Sequence, residues 1–249
     1  TGVTLTAYLS GGQQSFMMRD DGASGDGVAG DGIYGTSLPL QPHDTAVTFT
    51  IEAVSAAGSR MTPLRSDPMV RHGYYVNDNQ PFSQLPIFHF LVPSTTPASW
   101  LRGRGCESYS TFSFAYRGDL HYGVGIRMRG GSVCGATKPY LKIRFHKGHP
   151  FRFSGTFEGH KNLNFQSLWT DKSLIRENMA WELLQEMAQP YCTHEFVRIH
   201  ANGAYFALYA AYERKSGKID AVNPGRAINV TERELAIGTV RGPDGTPAR

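Results

Sequence analysis

The stretch WTDKSLIRENMAWELLQEMAQP, residues 169–190, decides the fold class, because it places a helical pattern in a chain of strand-like segments. Its apolar residues recur three and four positions apart, which is the spacing of one helix face. They are Leu174, Ile175, Met179, Leu183, Leu184 and Met187. Asp171 stands where an N-cap is expected, and Pro190 lies just beyond the end. The stretch therefore predicts one dominant helix that begins near Asp171.

Strand-like segments flank this helix on both sides. Four segments precede it: LPIFHFLVP at 85–93, STFSFAYRG at 110–118, LHYGVGIRMRG at 120–130 and KPYLKIRF at 138–145. After the helix, residues 194–214 are divided by Asn202-Gly203, a dipeptide typical of a two-residue hairpin turn. This order indicates an α+β fold with the outline of a small kinase lobe, in which an antiparallel sheet carries a lysine and one main helix packs behind it.

The first 70 residues also have the pattern of β structure. Polar and apolar residues alternate over 3–9 and 47–54, and a run of turn residues separates the two segments. The prolines and turn dipeptides of 62–86 mark the best candidate for a domain boundary. We therefore predict four parts. They are a β-sandwich-like module over 1–70, a linker over 71–84, the α+β lobe over 85–216, and a tail or the start of a further lobe over 217–249.

Four aspartates recur beside glycines between the first two strand segments. They are Asp20, Asp21, Asp26 and Asp31. Asp-Gly steps are typical of turns, because the aspartate bonds its own backbone and the glycine adopts a positive φ. Oxygen-rich clusters of this kind also suit calcium, although the spacing departs from that of an EF-hand and the terminal bidentate glutamate is missing. We expect structural turns here, with a calcium site as the alternative.

The composition limits the classes of function. A chain of 249 residues with 40% hydrophobic content can bury one large core or two smaller ones. The net charge of +4 permits an anionic ligand, but without a block of five or more Lys and Arg residues a nucleic-acid partner is not predicted. Since no run of about eighteen apolar residues occurs, no membrane span is predicted. Cys106, Cys134 and Cys192 do not have zinc-site spacing, and at most one disulfide can form.

Four segments, in order, resemble successive motifs of the spore-coat protein H (CotH) kinase family. They are VGIRMRGGS at 124–132, KPYLKIRF at 138–145, LNFQSLWTDKSLIRENMAWELLQEM at 163–187 and VRIHANGAYFALYAAYE at 197–213. Residues 1–70, with DDG, GD and AGDGIY, resemble immunoglobulin-like modules of exported bacterial proteins. These resemblances imply an extracellular or cell-surface kinase that binds ATP with a divalent cation such as Mg²⁺. Its substrates would be Ser or Thr residues of secreted or coat proteins.

The resemblance also implies a phosphate-binding turn. The Arg-Gly-Asn-Ser turn of the family falls on residues 129–132, with Arg129 and Ser132 at its ends and Gly131 in place of the asparagine. The lysine that follows in the family falls on Lys138, and Pro139 stands where a second lysine is common. Successive backbone N–H groups and a nearby cation suit phosphate oxygens.

Three further residues complete the predicted nucleotide site. The basic strand of the family falls on Lys142, and a helical glutamate, Glu177, would pair with the strand lysine and hold it toward the phosphates. Glu213, at the end of the last strand, matches a glutamate typical of the family. A second interpretation stays open: the turn is an ordinary hairpin, and the lysines and glutamates are solvated surface charges.

Phosphoryl transfer also needs acidic residues that hold the metal and orient the accepting hydroxyl. The family carries these residues C-terminal to the strand that ends at Glu213. Residues 214–249 contain Asp220 and Asp244 but no matching motif, so we assign no catalytic or metal-binding residue. We expect a fragment of an exported kinase that transfers no phosphate by itself. The alternative is a non-catalytic surface interaction or adhesion scaffold that retains the kinase-like lobe.

Overall fold

A computed structural model describes residues 2–78, 81–93, 97–103, 105–130, 134–153, 157–189 and 191–213. Strands predominate in these ranges. The first strands are β1 (Gly2–Leu9), β2 (Gly12–Met18), β3 (Thr45–Ser55), β4 (Gly58–Thr62), β5 (His72–Val76) and β6 (Ile87–Leu91). They are followed by helix α1 (Pro97–Arg102), β7 (Ser110–Tyr116), β8 (Asp119–Arg129), β9 (Tyr140–Arg144), β10 (Phe151–Phe153) and β11 (Phe157–His160). The last elements are β12 (Asn162–Gln166), helix α2 (Arg176–Glu186), β13 (His194–Ala201) and β14 (Ala204–Glu213).

The N-terminal strands form a sheet with β1 between β2 and β3, all antiparallel. β3 also pairs with β4 and β5. Val3, Leu5 and Ala7 of β1 are buried, while the residues between them are more exposed. This alternation is the one that the sequence predicted, because successive side chains of a strand point to opposite faces.

Seven strands close into a ring. Their order is β8, β7, β6, β13, β14, β12, β9 and back to β8. Each ring pair is antiparallel except β6 and β13, which are parallel. The prediction of an antiparallel sheet is wrong at this pair, because parallel neighbours need a long connection and β13 follows β6 only after the rest of the ring and α2. The sheet is therefore large and mixed.

Side chains fill the interior of the ring. They include Phe88, Phe90, Phe114, Met128, Leu141, Phe165 and Tyr209, each at most 1% exposed. Burying one large apolar side chain contributes about 1.5–3 kcal/mol relative to its exposed state. This core is therefore a main source of stability for the ring, and it fixes which face of each strand is free to carry a site.

The hairpin of β13 and β14 has the turn that the sequence predicted. Ala201 pairs with Ala204, which leaves Asn202 and Gly203 as the two turn residues. Their φ angles are +47° and +81°. Positive φ at both positions is the requirement of a type I′ turn, and it explains the Asn-Gly sequence.

One hydrogen-bonded sheet joins the N-terminal strands to the ring. Tyr74 of β5 pairs with Asp119 of β8. The guanidinium carbon of Arg71 lies 3.4 Å from the ring centroid of Tyr8 and 5.5 Å from that of Tyr122, so Arg71 also bridges the two parts. The predicted linker, 71–84, thus contains a strand. The division into domains stays a prediction.

The Asp-Gly segment forms turns held by carboxylates. Asp26 accepts backbone N–H groups from Gly22 at 2.8 Å and Ser24 at 2.9 Å. These bonds, led by that of Gly22, lower the pKa of Asp26. Asp20 accepts the N–H groups of Gly30 and Gly32. The aspartates therefore make the turn hydrogen bonds that the sequence favoured.

Helix α2 begins later than the sequence predicted. Its first residue is Arg176, and its N-cap is Ile175, which makes no side-chain cap bond. Asp171 is not the N-cap, because a turn over the next residues separates it from the helix. Its carboxylate nevertheless accepts the backbone N–H of Arg176 at 2.8 Å and that of Ser173 at 3.0 Å. Pro190, the expected stop residue, lies outside the described residues.

Candidate functional site

The register of three strands brings polar side chains together at one end of the ring. Arg129, the last residue of β8, pairs with Tyr140, the first residue of β9. Leu141 of β9 pairs with Phe165 of β12, so Gln166 follows at the same end. Met128 and Phe165 face the core, and therefore their neighbours Arg129 and Gln166 face outward.

A polar chain runs from the outer face of this end to helix α2. Nη1 of Arg129 donates to Oε1 of Gln166 at 3.5 Å, and Nε2 of Gln166 donates to Oε1 of Glu177 at 3.3 Å. Glu177 lies in the first turn of α2. A carboxylate is favoured at this position by the helix dipole. The Arg129–Gln166–Glu177 chain thus connects a strand cation to a helix carboxylate through one amide.

Burial and charge act in opposite directions on Arg129. Burial lowers the pKa of its guanidinium, and the negative charge of Glu177 raises it. An arginine keeps its charge in proteins, so the carboxylate compensates a partly desolvated cation. The sequence prediction named Glu177 as the partner of a strand lysine. Among the described contacts, its hydrogen-bond partner is Gln166, which the sequence prediction did not include.

Lys138 lies at the same end of the ring in a different environment. Its Nζ is 4.8 Å from the ring centroid of Tyr209, whose hydroxyl donates to the carbonyl of Pro139 at 3.0 Å. Burial lowers the pKa of Lys138 to about 8. Within the described part of the chain, no carboxylate oxygen lies within the 4.0 Å of an ion pair with this amine.

Arg129 and Lys138 contact different parts of the ring. Tyr209 belongs to the ring core, whereas Gln166 lies on the outer face. That these two cations line one shared surface, as the sequence predicted, stays a prediction. Their assignment to nucleotide binding stays a prediction.

The other predicted site residues are defined less fully. Lys142 lies between Arg127 and Asn164 in the strand ladder, on the outer face of β9. Ser132 lies outside the described residues, as does the side chain of Glu213, whose backbone ends β14 opposite Leu163. Their roles also stay predictions.

Neighbouring arginines on the same outer face cover an aromatic ring. The guanidinium carbon of Arg144 is 4.1 Å from the centroid of Tyr109, and that of Arg127 is 5.5 Å from it. Arg127 also lies 3.9 Å from Glu107. This part of the basic strand surface is thus engaged in cation–π packing.

A surface cleft of about 440 Å³ lies at the opposite end of β8. Its lining includes Asp119, His121 and His149. Burial lowers the pKa of His121 to about 4, and Nε2 of His149 lies 3.0 Å from Oδ1 of Asp67. The cleft is therefore separate from the end that carries the predicted phosphate-binding residues.

No group of three or more His, Cys, Asp or Glu side chains is placed to hold a metal ion in the described ranges. The positive side chains of Arg129 and Lys138 are of the type that binds phosphate oxygens. The positive charges of these side chains thus suit the negative phosphates of a nucleotide. The described residues do not form a site for a divalent cation. In the same ranges, no helix is long and apolar enough to cross a membrane.

Comparison with known proteins gives one family. Residues 126–234 match the family described as CotH kinase protein. No curated protein matches the chain. The match includes Arg129, Lys138 and Glu177, and it confirms the recognition made from the sequence motifs. Residues 1–70 lie outside it, so the immunoglobulin-like assignment stays a prediction.

Proposed function

Because residues 126–234 match the CotH kinase family, we propose that the chain is part of an atypical protein kinase. The proposed activity is ATP-dependent phosphorylation of Ser or Thr in secreted or surface proteins. ATP would supply the phosphoryl group, and Mg²⁺ would neutralise phosphate charge.

The Arg129–Gln166–Glu177 chain is the observation that supports this proposal most directly. A kinase-like lobe needs a strand cation that a helix carboxylate holds in place near the phosphates. Here the carboxylate of Glu177 compensates the partly buried Arg129 through Gln166. A cation fixed in this way would meet a phosphate group at a small additional entropy cost.

Nucleotide contacts in this proposal come from Arg129 and from Lys138, with Ser132 and Lys142 as further candidates. Lys138 is partly buried, and its pKa of about 8 lets it carry a positive charge at neutral pH. An amine with these properties can bind an anion or release a proton. No step is assigned to Mg²⁺, because the described residues lack a group of metal ligands.

Export is part of the proposal, and one feature supports it. Cys106 and Cys134 form a disulfide with their Cα atoms 5.8 Å apart. Disulfides form and persist mainly in oxidising compartments outside the cytosol. We therefore propose that the working protein lies at the cell surface or in the extracellular medium.

A non-catalytic scaffold is the second candidate function. It is favoured by the contacts that occupy the two cations, because Arg129 bonds Gln166 on the outer face and Lys138 packs on Tyr209 of the ring core. In this case the lobe would serve as a surface for protein interaction or adhesion, and nucleotide binding would be absent.

Isothermal titration calorimetry of the 249-residue chain with ATP, with and without Mg²⁺, separates the two functions. Loss of one charge-assisted hydrogen bond costs about 1.5–3 kcal/mol, so Arg129→Gln is expected to weaken ATP binding by about ten- to a hundredfold. Arg60→Gln is the matched control, because it removes the same charge from an exposed site on β4. If the unaltered, folded chain binds no ATP, the kinase proposal is wrong and the scaffold is favoured.

A further inference from the structure

Helix α2 carries a line of exposed apolar side chains. Ile175, Met179, Leu183 and Met187 are spaced by four residues and are 46%, 57%, 56% and 58% exposed. Residues four apart lie one above the other on a helix surface, so these side chains form one continuous strip. We call this strip the α2 stripe. It runs from the N-cap to the C-cap of the helix.

The α2 stripe is not the face that attaches the helix to the ring. Leu174 and Trp181 pack against a separate buried cluster that contains Leu168, Cys192 and Tyr212. Asn178 is also buried on this side. The sequence predicted a single apolar face, but the helix has two, and the ring covers only one. A contiguous exposed apolar surface of this kind marks a contact site.

We infer that residues 214–240 of this chain bind the α2 stripe. Strand β14 ends at Glu213, and the preceding residue, Tyr212, donates a hydrogen bond to Asn178 of α2 at 3.0 Å. The chain therefore leaves the ring beside the helix. The eleven residues of α2 span about 16 Å at 1.5 Å per residue, a distance that a short peptide can follow.

The sequence of this segment suits the α2 stripe and its border. The part from 227 to 240, AINVTERELAIGTV, supplies Ile228, Val230, Leu235, Ile237 and Val240 as apolar contacts. The part from 214 to 218, RKSGK, is basic, while the exposed face of α2 carries Glu182 and Glu186. Opposite charges of this kind favour the encounter and fix its orientation. The family match also continues to residue 234, past the end of β14.

A second copy of the chain is a less suitable occupant. If two α2 helices packed symmetrically through their stripes, Glu182 and Glu186 would border the contact on both copies. α2 contains three glutamates and one arginine, so like charges would face each other across this contact. Like-charge juxtaposition at an interface is unfavourable.

Photo-cross-linking in the full 249-residue chain tests the inference. Leu183→benzoylphenylalanine places a cross-linker in the α2 stripe, and Gln185→benzoylphenylalanine is the control on an exposed polar position of the same helix. After irradiation, mass spectrometry is expected to find peptides of 214–240 joined to position 183, at least tenfold above position 185, in a protein of monomer mass. Products only in a covalent dimer, or no product with this segment, would overturn the inference.

Hydrogen exchange gives a second, independent measurement. Leu183→Asp changes an exposed side chain, so the ring is expected to remain folded and its amides to keep their exchange rates. Amides of 227–240 are expected to exchange at least fivefold faster in this variant than in the unaltered chain. Equal exchange of 227–240 in both proteins would contradict the inference, whatever the outcome of the ATP titration.

Discussion

The hydroxyl of Tyr212 on β14 donates a hydrogen bond to Oδ1 of Asn178 on α2, at 3.0 Å, and both residues are at most 4% exposed. Burial raises the pKa of the Tyr212 hydroxyl, so it stays protonated and keeps its role as donor. This bond ties the only long helix of the described residues to the outer face of the ring.

Removing the Tyr212 hydroxyl is expected to destabilise the fold, because the side-chain amide of Asn178 then lacks this hydrogen bond. In Tyr212→Phe, the side chain of Asn178 loses its buried partner, and an unsatisfied buried polar group costs about 1–3 kcal/mol. Urea denaturation should therefore show a lower midpoint with an unchanged slope. The double variant Tyr212→Phe with Asn178→Leu should recover part of the loss. Equal midpoints for the unaltered chain and Tyr212→Phe would show that the bond contributes nothing.

A buried histidine pair makes stability depend on pH. His89 on β6 and His200 on β13 are 3% and 5% exposed, and their rings are 5.7 Å apart. Burial, assisted by the charge of His200 and opposed by that of Asp44, lowers the pKa of His89 to about 4. The ring of Tyr75 packs 4.7 Å from His89, and its hydroxyl bonds Asp44.

The sign of the pH effect follows from the lowered pKa of His89. Between its unfolded pKa of 6.5 and about 4, the unfolded chain binds a proton that the folded chain does not. The free energy of unfolding is therefore expected to fall as the pH drops from 6.5 toward 4. Urea midpoints measured from pH 4 to pH 8 should show this slope, and His89→Gln should make it less steep, with the rest due to His121 and His200, whose pKa values are also lowered by burial. An identical slope in the variant would show that other groups cause it.

The disulfide between Cys106 and Cys134 closes a loop of 28 residues between the end of α1 and the start of β9. Loop closure of this size is expected to stabilise the fold by about 2–4 kcal/mol. Cys106→Ser with Cys134→Ser should therefore unfold at lower urea than the oxidised chain. A reductant should shift the unaltered chain to the same midpoint and leave the double variant unchanged, since Cys192 forms no disulfide in the described structure. A shift of the double variant by reductant would contradict this assignment.

Sequence patterns predicted the parts of the fold that depend on interactions between residues close together in the chain. The Asn202-Gly203 turn follows from backbone preference, and the Asp-Gly turns follow from short side chains that bond nearby amides. Six of the seven ring strands also agree with their predicted segments, whereas β12 was not predicted as a strand. In contrast, the parallel pairing of β6 with β13 depends on contacts across more than a hundred residues, which single-sequence periodicity does not contain.

The candidate site was also predictable only in part. The family motifs located Arg129 and Glu177, but the residue that connects them, Gln166, has no local signal in the sequence. Its position follows only from the register of β9 with β8 and β12. The start of α2 was placed too early because Asp171 has the chemistry of a cap and bonds Arg176, although a turn intervenes. The type of the side chain alone could not show whether Asp171 is the N-cap of α2 or lies one turn before it.

Lys138 should titrate at a lower pH than an ordinary lysine. Burial beside the ring of Tyr209 lowers its pKa to about 8, whereas an unperturbed lysine has a pKa of about 10.4. Competitive labelling with acetic anhydride from pH 6 to pH 11, read by mass spectrometry, should give a half-maximal rate at Lys138 near pH 8. The same residue in the urea-denatured chain is the reference. Equal midpoints in both states would contradict the lowered pKa.

If Lys138 contacts a nucleotide phosphate, ATP should change both its titration and the binding affinity. A phosphate stabilises the ammonium form, so saturating ATP should move the labelling midpoint of Lys138 upward. One lost charge-assisted contact is worth about 1.5–3 kcal/mol, and Lys138→Ala should therefore weaken ATP binding by about ten- to a hundredfold without unfolding the chain. Calorimetry measures the affinity, and circular dichroism checks the fold. An unmoved midpoint together with an unchanged affinity would remove Lys138 from the nucleotide site, and its amine would then be only a cation packed on the ring of Tyr209.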